Sequence, residues 1–169
     1  NEKGAATVGL TFQVPSPLAD SAQHVIVYEF GEDSIVENQK TSYGFKLALE
    51  LLFQIEGYAG YDAMTEALGK LHGIVAKAKK DIVPFAIKYA WEFKDDSVIY
   101  TMGSGPCWGS AHQESICIFM EMQWINSSVI HSGEYFHGPF EITEKNTAFL
   151  MMKSTGRTRA LDDRALAFI

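Results

Sequence analysis

The sequence has few of the features that mark secreted, membrane-bound or nucleic-acid-binding proteins. Only 2 of its 169 residues are cysteine, and 14 Lys and Arg stand against 21 Asp and Glu, a net charge of −7. No apolar run approaches the roughly 18 residues that span a bilayer, so we predict no membrane contact. The acidic balance disfavours nucleic acid as a partner, because phosphates require a basic face.

The two cysteines, Cys107 and Cys117, are predicted to remain reduced. If both lie on one helix, they are about 15 Å apart, whereas a disulfide requires Cα atoms within about 7 Å. Because free thiols fit a reducing compartment, we expect a cytoplasmic protein.

Hydrophobic residues make up 47% of the chain, enough for a folded core. Runs of β-branched and aromatic residues predict strands at 5–12, 24–30, 97–101, 127–131 and 148–152. Helical patterns lie between them, at 40–58, 61–93 with a kink or restart near Pro84, 108–125 and 158–168.

Strands that alternate with helices predict an α/β fold of doubly wound parallel sheets with helices on both faces. Two such blocks predict two lobes. The first comprises residues 1–96, including the linking helices, and the second comprises residues 97–169. The first strand lacks a preceding β-loop-α unit and the last helix stops early, so we expect a fragment truncated at both ends.

One acid, Glu121, stands in the most apolar of the predicted helices. Its neighbours are large and apolar: Ile116, Cys117, Ile118, Phe119, Met120, Met122, Trp124 and Ile125. A helix that is apolar on every face is expected to be buried, and a buried carboxylate is costly unless it is paired or protonated. Because desolvation brings carboxyl groups into the range for proton transfer near neutral pH, Glu121 is a candidate acid/base residue. The alternative is that Glu121 reaches an edge and pairs with a lysine.

Histidines and acids are concentrated in the stretch HSGEYFHGPFEI, residues 131–142. His131, Glu134 and His137 are spaced by three, which spreads them over roughly 120° of a helix, whereas a helical zinc pair needs a spacing of four. We therefore predict no metal site. His137 precedes Gly138-Pro139 on a rigid turn, where a histidine suits acid/base work near neutral pH, although a structural role stays open. We expect His131 to pack or bond locally and the Glu134 carboxylate to accept backbone N–H bonds.

The loop GSGP follows one strand and precedes a helix. Glycines allow the backbone to approach an anion there, and a helix N-terminus favours negative charge. A phosphate contact and a plain tight turn both remain open. Ser104 is the residue of this loop that we predict to contact substrate.

The segment SICIFMEMQWINSSVIHSGEYFHGPFEI resembles the second lobe of the SIS-fold (sugar isomerase) phosphosugar enzymes. The GE-x-x-HGP core is similar to the isomerase domain of glucosamine-6-phosphate synthase. The longer motif, FMEMQWI followed by HSGEYFHGPFEIT, looks most like the fructosamine-6-phosphate deglycases. The likeness runs through Val98–Ile169 and, more loosely, back through the stretch ATVGLTF and the linking helices.

The resemblance implies a role for each matching residue. Glu121 matches the carboxylate that moves a proton between C1 and C2 of the open sugar. His137 matches the histidine that helps open the sugar ring and that reaches the site from a neighbouring subunit, which implies a homodimer or higher homo-oligomer. Asn38 and Thr41 fall roughly where the family touches sugar hydroxyls. No cofactor is implied.

The function implied is hydrolysis of a 6-phosphorylated Amadori compound to glucose 6-phosphate and an amine or amino acid. Two alternatives remain: a phosphosugar aldose–ketose or aminating isomerase, and a non-catalytic module that senses a phosphosugar. In this family the main phosphate-binding loops lie upstream of a segment like residues 1–12. We therefore expect the isolated 169-residue chain to be inactive or nearly so.

Overall fold

The structure is a computed structural model that describes residues 4–169 and divides the chain into two units between Pro84 and Phe85. The division falls inside a long helix, and each unit has its own parallel sheet. The assignment of residues 1–96 and 97–169 to two lobes stays a prediction.

The first unit pairs two short strands in parallel and adds helices after them. Its elements are β1 (Val8–Thr11), α1 (Pro17–Ser21), β2 (His24–Val27), a 3₁₀ turn (Val36–Asn38), α2 (Lys40–Glu56), α3 (Tyr61–Leu68) and the first part of α4 (Leu71–Phe93). Val8 pairs with His24 and Thr11 with Val27. Ser16 opens α1, because its hydroxyl accepts the Ala19 N–H at 3.3 Å.

The second unit is built on a three-stranded parallel sheet with β3 at its centre. Its elements after α4 are β3 (Ile99–Gly103), a 3₁₀ turn (Gly105–Cys107), α5 (Trp108–Gln113), a π-helix (Glu114–Met122), β4 (Ser127–His131), 3₁₀ turns (Tyr135–His137 and Pro139–Ile142), β5 (Ala148–Met152) and α6 (Arg159–Phe168). In register, Met102 lies opposite Ile130 and Met151. The predicted parallel sheets are confirmed.

The core of the second unit forms where the central strand meets the segment after β4. Met102 and Tyr135 are both fully buried, and the partly buried rings of Phe136, Phe140 and Phe149 pack against them. Burial of side chains of this size stabilises a fold by about 1.5–3 kcal/mol each. The Tyr135 hydroxyl avoids an unsatisfied polar group by bonding to Thr143 Oγ1 at 2.7 Å.

A restart of the helix at Pro84 is ruled out, whereas a kink there stays a prediction. The chain restarts at Gly69-Lys70, between α3 and α4, and α4 then continues through Pro84 to Phe93. None of the residues of α4 is buried, so the carbonyl that Pro84 cannot bond lies on a helix open to solvent, which lowers the cost of the missing hydrogen bond.

The prediction of one regular helix over 108–125 is also wrong. After α5 the hydrogen bonds change from i→i+4 to i→i+5, as in the bond from the Gln123 N–H to the Ile118 carbonyl at 3.0 Å. The helix ends at Met122, and Trp124 adopts a left-handed backbone with φ 58°, which is rare for a bulky side chain. Cys107 and Cys117 are free thiols in two different elements, the 3₁₀ turn and the π-helix.

A buried carboxylate ties together the loops at the carboxyl edge of this sheet. Asp162, in the first turn of α6, is 0% exposed. It accepts the Ser132 hydroxyl at 2.6 Å, from just after β4, and the Ser154 N–H at 2.8 Å, from just after β5. Burial raises the pKa of Asp162, but hydrogen bonds from Ser132, Ser104 and the Ser154 N–H outweigh it, so the pKa lies below its usual range.

Among residues 4–169, none of the helices has both the length and the apolar character needed to cross a bilayer.

We predict that Asp162→Asn destabilises the protein by about 1–3 kcal/mol, because the amide leaves a buried N–H or hydroxyl without its acceptor. The matched control is Asp163→Asn on the next residue, whose half-exposed carboxylate pairs with Lys153 and Arg159. That change should cost less than about 1 kcal/mol. Chemical denaturation measures both, and equal losses would contradict the role of Asp162.

The same variant has a predictable pH dependence. A carboxylate whose folded pKa is depressed contributes stability above the unfolded pKa, and this contribution is lost as the pH falls through the folded value. The stability difference between the wild type and Asp162→Asn should therefore be constant above about pH 5 and shrink below about pH 4. A difference that does not vary with pH would show that Asp162 is not held as a carboxylate.

Candidate functional site

Glu121 lies near the end of the π-helix with its side chain exposed, so the predicted burial of this acid is wrong for the single chain. Its carboxylate has no hydrogen bond to any described residue. The flanking apolar side chains are open as well: Met122 is 65% exposed and Trp124 is 89% exposed. The pattern of the helix is apolar, but nothing in the second unit covers its last turn.

His137 ends a short 3₁₀ turn that the core holds in place. Tyr135, two residues earlier, is fully buried, and the His137 N–H donates to the Glu134 carbonyl at 2.8 Å. Gly138 follows with φ +146°, a backbone that L side chains rarely adopt, and Pro139 begins the next turn. The imidazole is exposed and makes no side-chain hydrogen bond within residues 4–169, so it is available to another molecule.

Glu121 and His137 lie toward opposite ends of β4. Glu121 precedes the strand and His137 follows it, and the five residues Ser127–His131 lie between them. A strand of this length spans about 15 Å. The fold of one chain therefore does not bring the two predicted acid/base residues into direct contact.

The predictions for the other histidine and for the acid of the HSGEYFHGP stretch have different outcomes. His131 Nδ1 accepts the Gly133 N–H at 3.1 Å, and its ring lies against Trp108 with centroids 5.1 Å apart. The prediction that His131 packs or bonds locally is confirmed. The Glu134 carboxylate is exposed and accepts no hydrogen bond from the described residues, so its predicted role as an acceptor is wrong. No group of three metal-binding side chains occurs within residues 4–169.

Ser104 lies at the end of the central strand but is fully buried. Its hydroxyl lies beside two acceptors, the Thr158 carbonyl at 3.3 Å and the Asp162 carboxylate, and donates to one of them at a time. The next residue, Gly105, has φ +50°, and a Cβ there would collide with the Thr158 side chain. The loop is therefore a tight turn closed by side chains of the chain itself, and the predicted substrate contact of Ser104 stays a prediction.

Asn38 and Thr41 belong to the first unit, at the start of α2. The Asn38 amide donates to the Glu29 carboxylate at 2.8 Å, and the same carboxylate accepts the Ile35 N–H at 2.8 Å. These bonds lower the pKa of Glu29, the backbone bond from Ile35 more than the one from Asn38. Thr41 is exposed and lines an open cavity of about 500 Å³ with Glu29 and Tyr28.

The sequence did not single out two acids whose pKa values the structure shifts, Asp162 and Glu114. Burial raises the pKa of Glu114, at the start of the π-helix. Burial also raises the pKa of the nearby Tyr89 to about 12, helped by the charges of Asp96 and Glu114. The Tyr89 hydroxyl is buried and has no hydrogen-bond partner among residues 4–169. Neither acid stands in a conspicuous motif, and only the contacts made on folding distinguish them.

Comparison with known proteins relates the whole chain to deglycases. The chain is 41% identical over 168 residues to the fructosamine deglycase FrlB of Bacillus subtilis strain 168, covering 98% of this chain and 51% of that protein. It is 28% identical over 182 aligned positions to the fructoselysine 6-phosphate deglycase of Escherichia coli O157:H7, covering 98% of this chain and 48% of that protein. The chain spans about half the length of these curated relatives. No protein-family model matches it.

A solved structure supports the fold directly. A Salmonella typhimurium LT2 protein provisionally named a phosphosugar isomerase superposes with a TM-score of 0.93 and is 53% identical, covering 99% of this chain and 53% of that one. The architecture expected from the sequence is thereby confirmed.

We predict that Glu114→Gln raises the melting temperature at neutral pH. The raised pKa means that the folded state disfavours the charged carboxylate. The resulting loss of folding stability is fully present above the pKa of the folded state and absent below the pKa of the unfolded state. The gain should therefore disappear below about pH 4. Thermal unfolding across this pH range measures the effect, with the exposed Glu141→Gln as the control. A lower melting temperature at pH 7 would mean that Glu114 is held as a charged group.

Proposed function

Because the chain belongs to the SIS-fold phosphosugar isomerase family, we propose that the complete protein is a cytoplasmic deglycase that acts on a 6-phosphorylated fructosamine. Its products would be glucose 6-phosphate and a free amine or amino acid. The observation that carries the proposal is the match to a named fructosamine deglycase along 98% of this chain at 41% identity.

The proposed chemistry uses two groups that the chain leaves free. With the sugar ring opened, an Amadori compound presents a ketone at C2 and an amine-bearing CH₂ at C1. Glu121 removes a proton from C1 and delivers it to C2 through an enaminol, and water then hydrolyses the imine formed at C1. His137 moves the proton between the ring oxygen and the anomeric hydroxyl during ring opening. Acid/base steps of this kind contribute about 10²–10⁴-fold each.

We further propose that His137 of the partner subunit completes the site around Glu121 in a homodimer or higher homo-oligomer. Two observations support this arrangement. The strand β4 separates the two residues within one chain, and Met122 and Trp124 beside Glu121 are largely exposed, as apolar residues at an interaction surface often are. Subunit association would cover these residues and remove water from the Glu121 carboxylate.

Substrate contacts are proposed for Asn38, Thr41 and Ser104. Thr41 is exposed beside a cavity, and Asn38 is fixed by Glu29, so both could meet sugar hydroxyls with little loss of conformational entropy. Ser104 would require its loop to open, because its hydroxyl is buried in this chain.

We predict that Glu121→Gln in the complete protein lowers turnover of a fructosamine 6-phosphate by about 10²–10⁴-fold, because the amide cannot accept the C1 proton. Substrate binding should persist. Glu144→Gln, an exposed acid in the loop after the HGP turn, serves as the matched control and should turn over normally.

The products separate the deglycase from its alternatives. Release of an amine together with glucose 6-phosphate supports the deglycase. Exchange of ketose and aldose without amine release would indicate an isomerase, and binding without turnover in the wild type would indicate a sensing module. Full activity of Glu121→Gln would eliminate the proposed proton carrier.

The shared site can be tested by mixing inactive subunits. We predict that Glu121→Gln and His137→Asn each keep at most about 1% of wild-type activity, and that equal mixing with subunit exchange restores about a quarter of it. The reason is that about half of the dimers pair unlike subunits, and each of these has one intact site. No recovery, with exchange verified by native mass spectrometry, would place both groups in one chain's site or remove His137 from it.

A further inference from the structure

The π-helix that carries Glu121 is unusually long. Most π-helical structure occurs as single-turn bulges inside α-helices, whereas the segment Glu114–Met122 extends over nine residues. Because i→i+5 bonding is less favourable than α-helical bonding, a segment of this length needs contacts from outside the helix. The structure shows such contacts at its N-terminal end, where buried hydroxyl groups connect it to the sheet.

The first contact is at the junction between α5 and the π-helix. The Glu114 N–H bonds to the carbonyls of both Ser110 and Ala111, so the last turn of α5 is tight. The hydroxyl of Thr101, on the central strand, donates to the same Ala111 carbonyl at 2.8 Å and is fully buried. Insertion of a side chain into a helical ladder is a recognised cause of local change in a helix.

The second contact involves Ser115, the residue after Glu114. The Ser115 hydroxyl, also 0% exposed, donates to Ser127 Oγ at 2.9 Å, and the Ser127 hydroxyl donates to the Ile99 carbonyl at 2.7 Å. This chain of bonds joins the π-helix to the first residues of β4 and β3. Because a buried hydroxyl is costly unless it is hydrogen-bonded, valine or alanine would serve the core alone better at Thr101 and Ser115.

The π-helical register of this segment affects the surroundings of Glu121. Glu114 and Glu121 are seven residues apart, close to two turns of an α-helix, and would therefore share one face. With i→i+5 bonds each turn holds about one more residue, so seven residues make only about one and a half turns. The two acids consequently lie on different sides of the helix, Glu114 partly buried and Glu121 exposed.

We propose that Thr101 and Ser115 are positioning residues that hold the Glu114–Met122 segment in its π-helical register and thereby direct the Glu121 carboxylate toward the substrate. The proposal rests on the proposed role of Glu121 as proton carrier. Neither hydroxyl would touch the substrate, since both are buried between the helix and the sheet.

The test compares two substitutions at one position in the complete protein. Thr101→Val keeps the shape of the side chain and removes the donor, whereas Thr101→Ser keeps the donor and removes a methyl group. We expect Thr101→Val to lower kcat by about 10- to 100-fold, the range for a reacting group displaced by about 1 Å, with KM unchanged. Thr101→Ser should keep the wild-type kcat, even though the methyl it loses leaves a small cavity.

Further variants separate positioning from general stability. Ser115→Ala removes the second hydroxyl contact and should also lower kcat. It replaces Thr101→Val as the test if that variant does not fold. Thr11→Val is the matched control, because Thr11 is a buried strand threonine of the first unit whose hydroxyl also donates to a backbone carbonyl, that of Gln13 at 3.0 Å. It should leave kcat unchanged. A wild-type kcat in Thr101→Val and Ser115→Ala, or an equal loss in Thr101→Ser, would overturn the proposal.

A readout that does not depend on activity keeps this proposal distinct from the proposed function. Amide hydrogen exchange of residues 114–122 should accelerate in Thr101→Val and stay at the wild-type rate in Thr101→Ser. If Glu121→Gln retains turnover, the role of Glu121 fails, and the exchange data alone decide whether the hydroxyls hold the helix. If Glu121→Gln is inactive while Thr101→Val matches the wild type in kcat and in exchange, only the positioning proposal fails.

Discussion

The carboxylate of Asp162 is the interaction on which the carboxyl edge of the second sheet depends. Parallel strands end at the same edge, and their loops must be joined by something other than the strand ladder. Asp162 meets this need from the first turn of α6, since it accepts bonds from the segments that follow β4 and β5. The segment after β4 includes the turn with His137, and the bond from Ser132 to Asp162 anchors the start of that segment.

Buried hydroxyl groups also connect the sheet to the helix between β3 and β4. Hydroxyls on the sheet bond to the start of this helix, and its hydrogen bonds then run in the wider i→i+5 register. The wider register separates Glu114 from Glu121, so one acid is partly desolvated and the other faces outward. Two carboxylates on the same helix thus acquire different surroundings without any difference in residue type.

Because Glu121 is exposed, the candidate site is not enclosed by the single chain. A carboxylate beside a tryptophan that is 89% exposed and an imidazole beyond the far end of the next strand do not make a catalytic site by themselves. The chain also spans about half the length of its curated relatives. The exposed surroundings of Glu121 fit the proposal that a second subunit completes the site.

Patterns within short stretches of sequence determined the existence and parallel pairing of the strands and the turn at Gly138-Pro139. They also determined the resemblance of the segment from Glu121 to His137 to the SIS-fold phosphosugar enzymes. All of these depend on local residue types and spacing. Only the tertiary structure decided the register of the helix after α5, the exposure of Glu121, the continuation of α4 through Pro84 and the burial of Ser104. At two of these places the structure shows contacts between different elements, the Thr101 hydroxyl with the Ala111 carbonyl and the Ser104 hydroxyl with the Thr158 carbonyl. The helix α4 continues through Pro84 because none of its residues is buried. A periodic apolar pattern predicts that a helix exists, but the number of residues in its turns and the side that meets water are set by what the rest of the chain places against it.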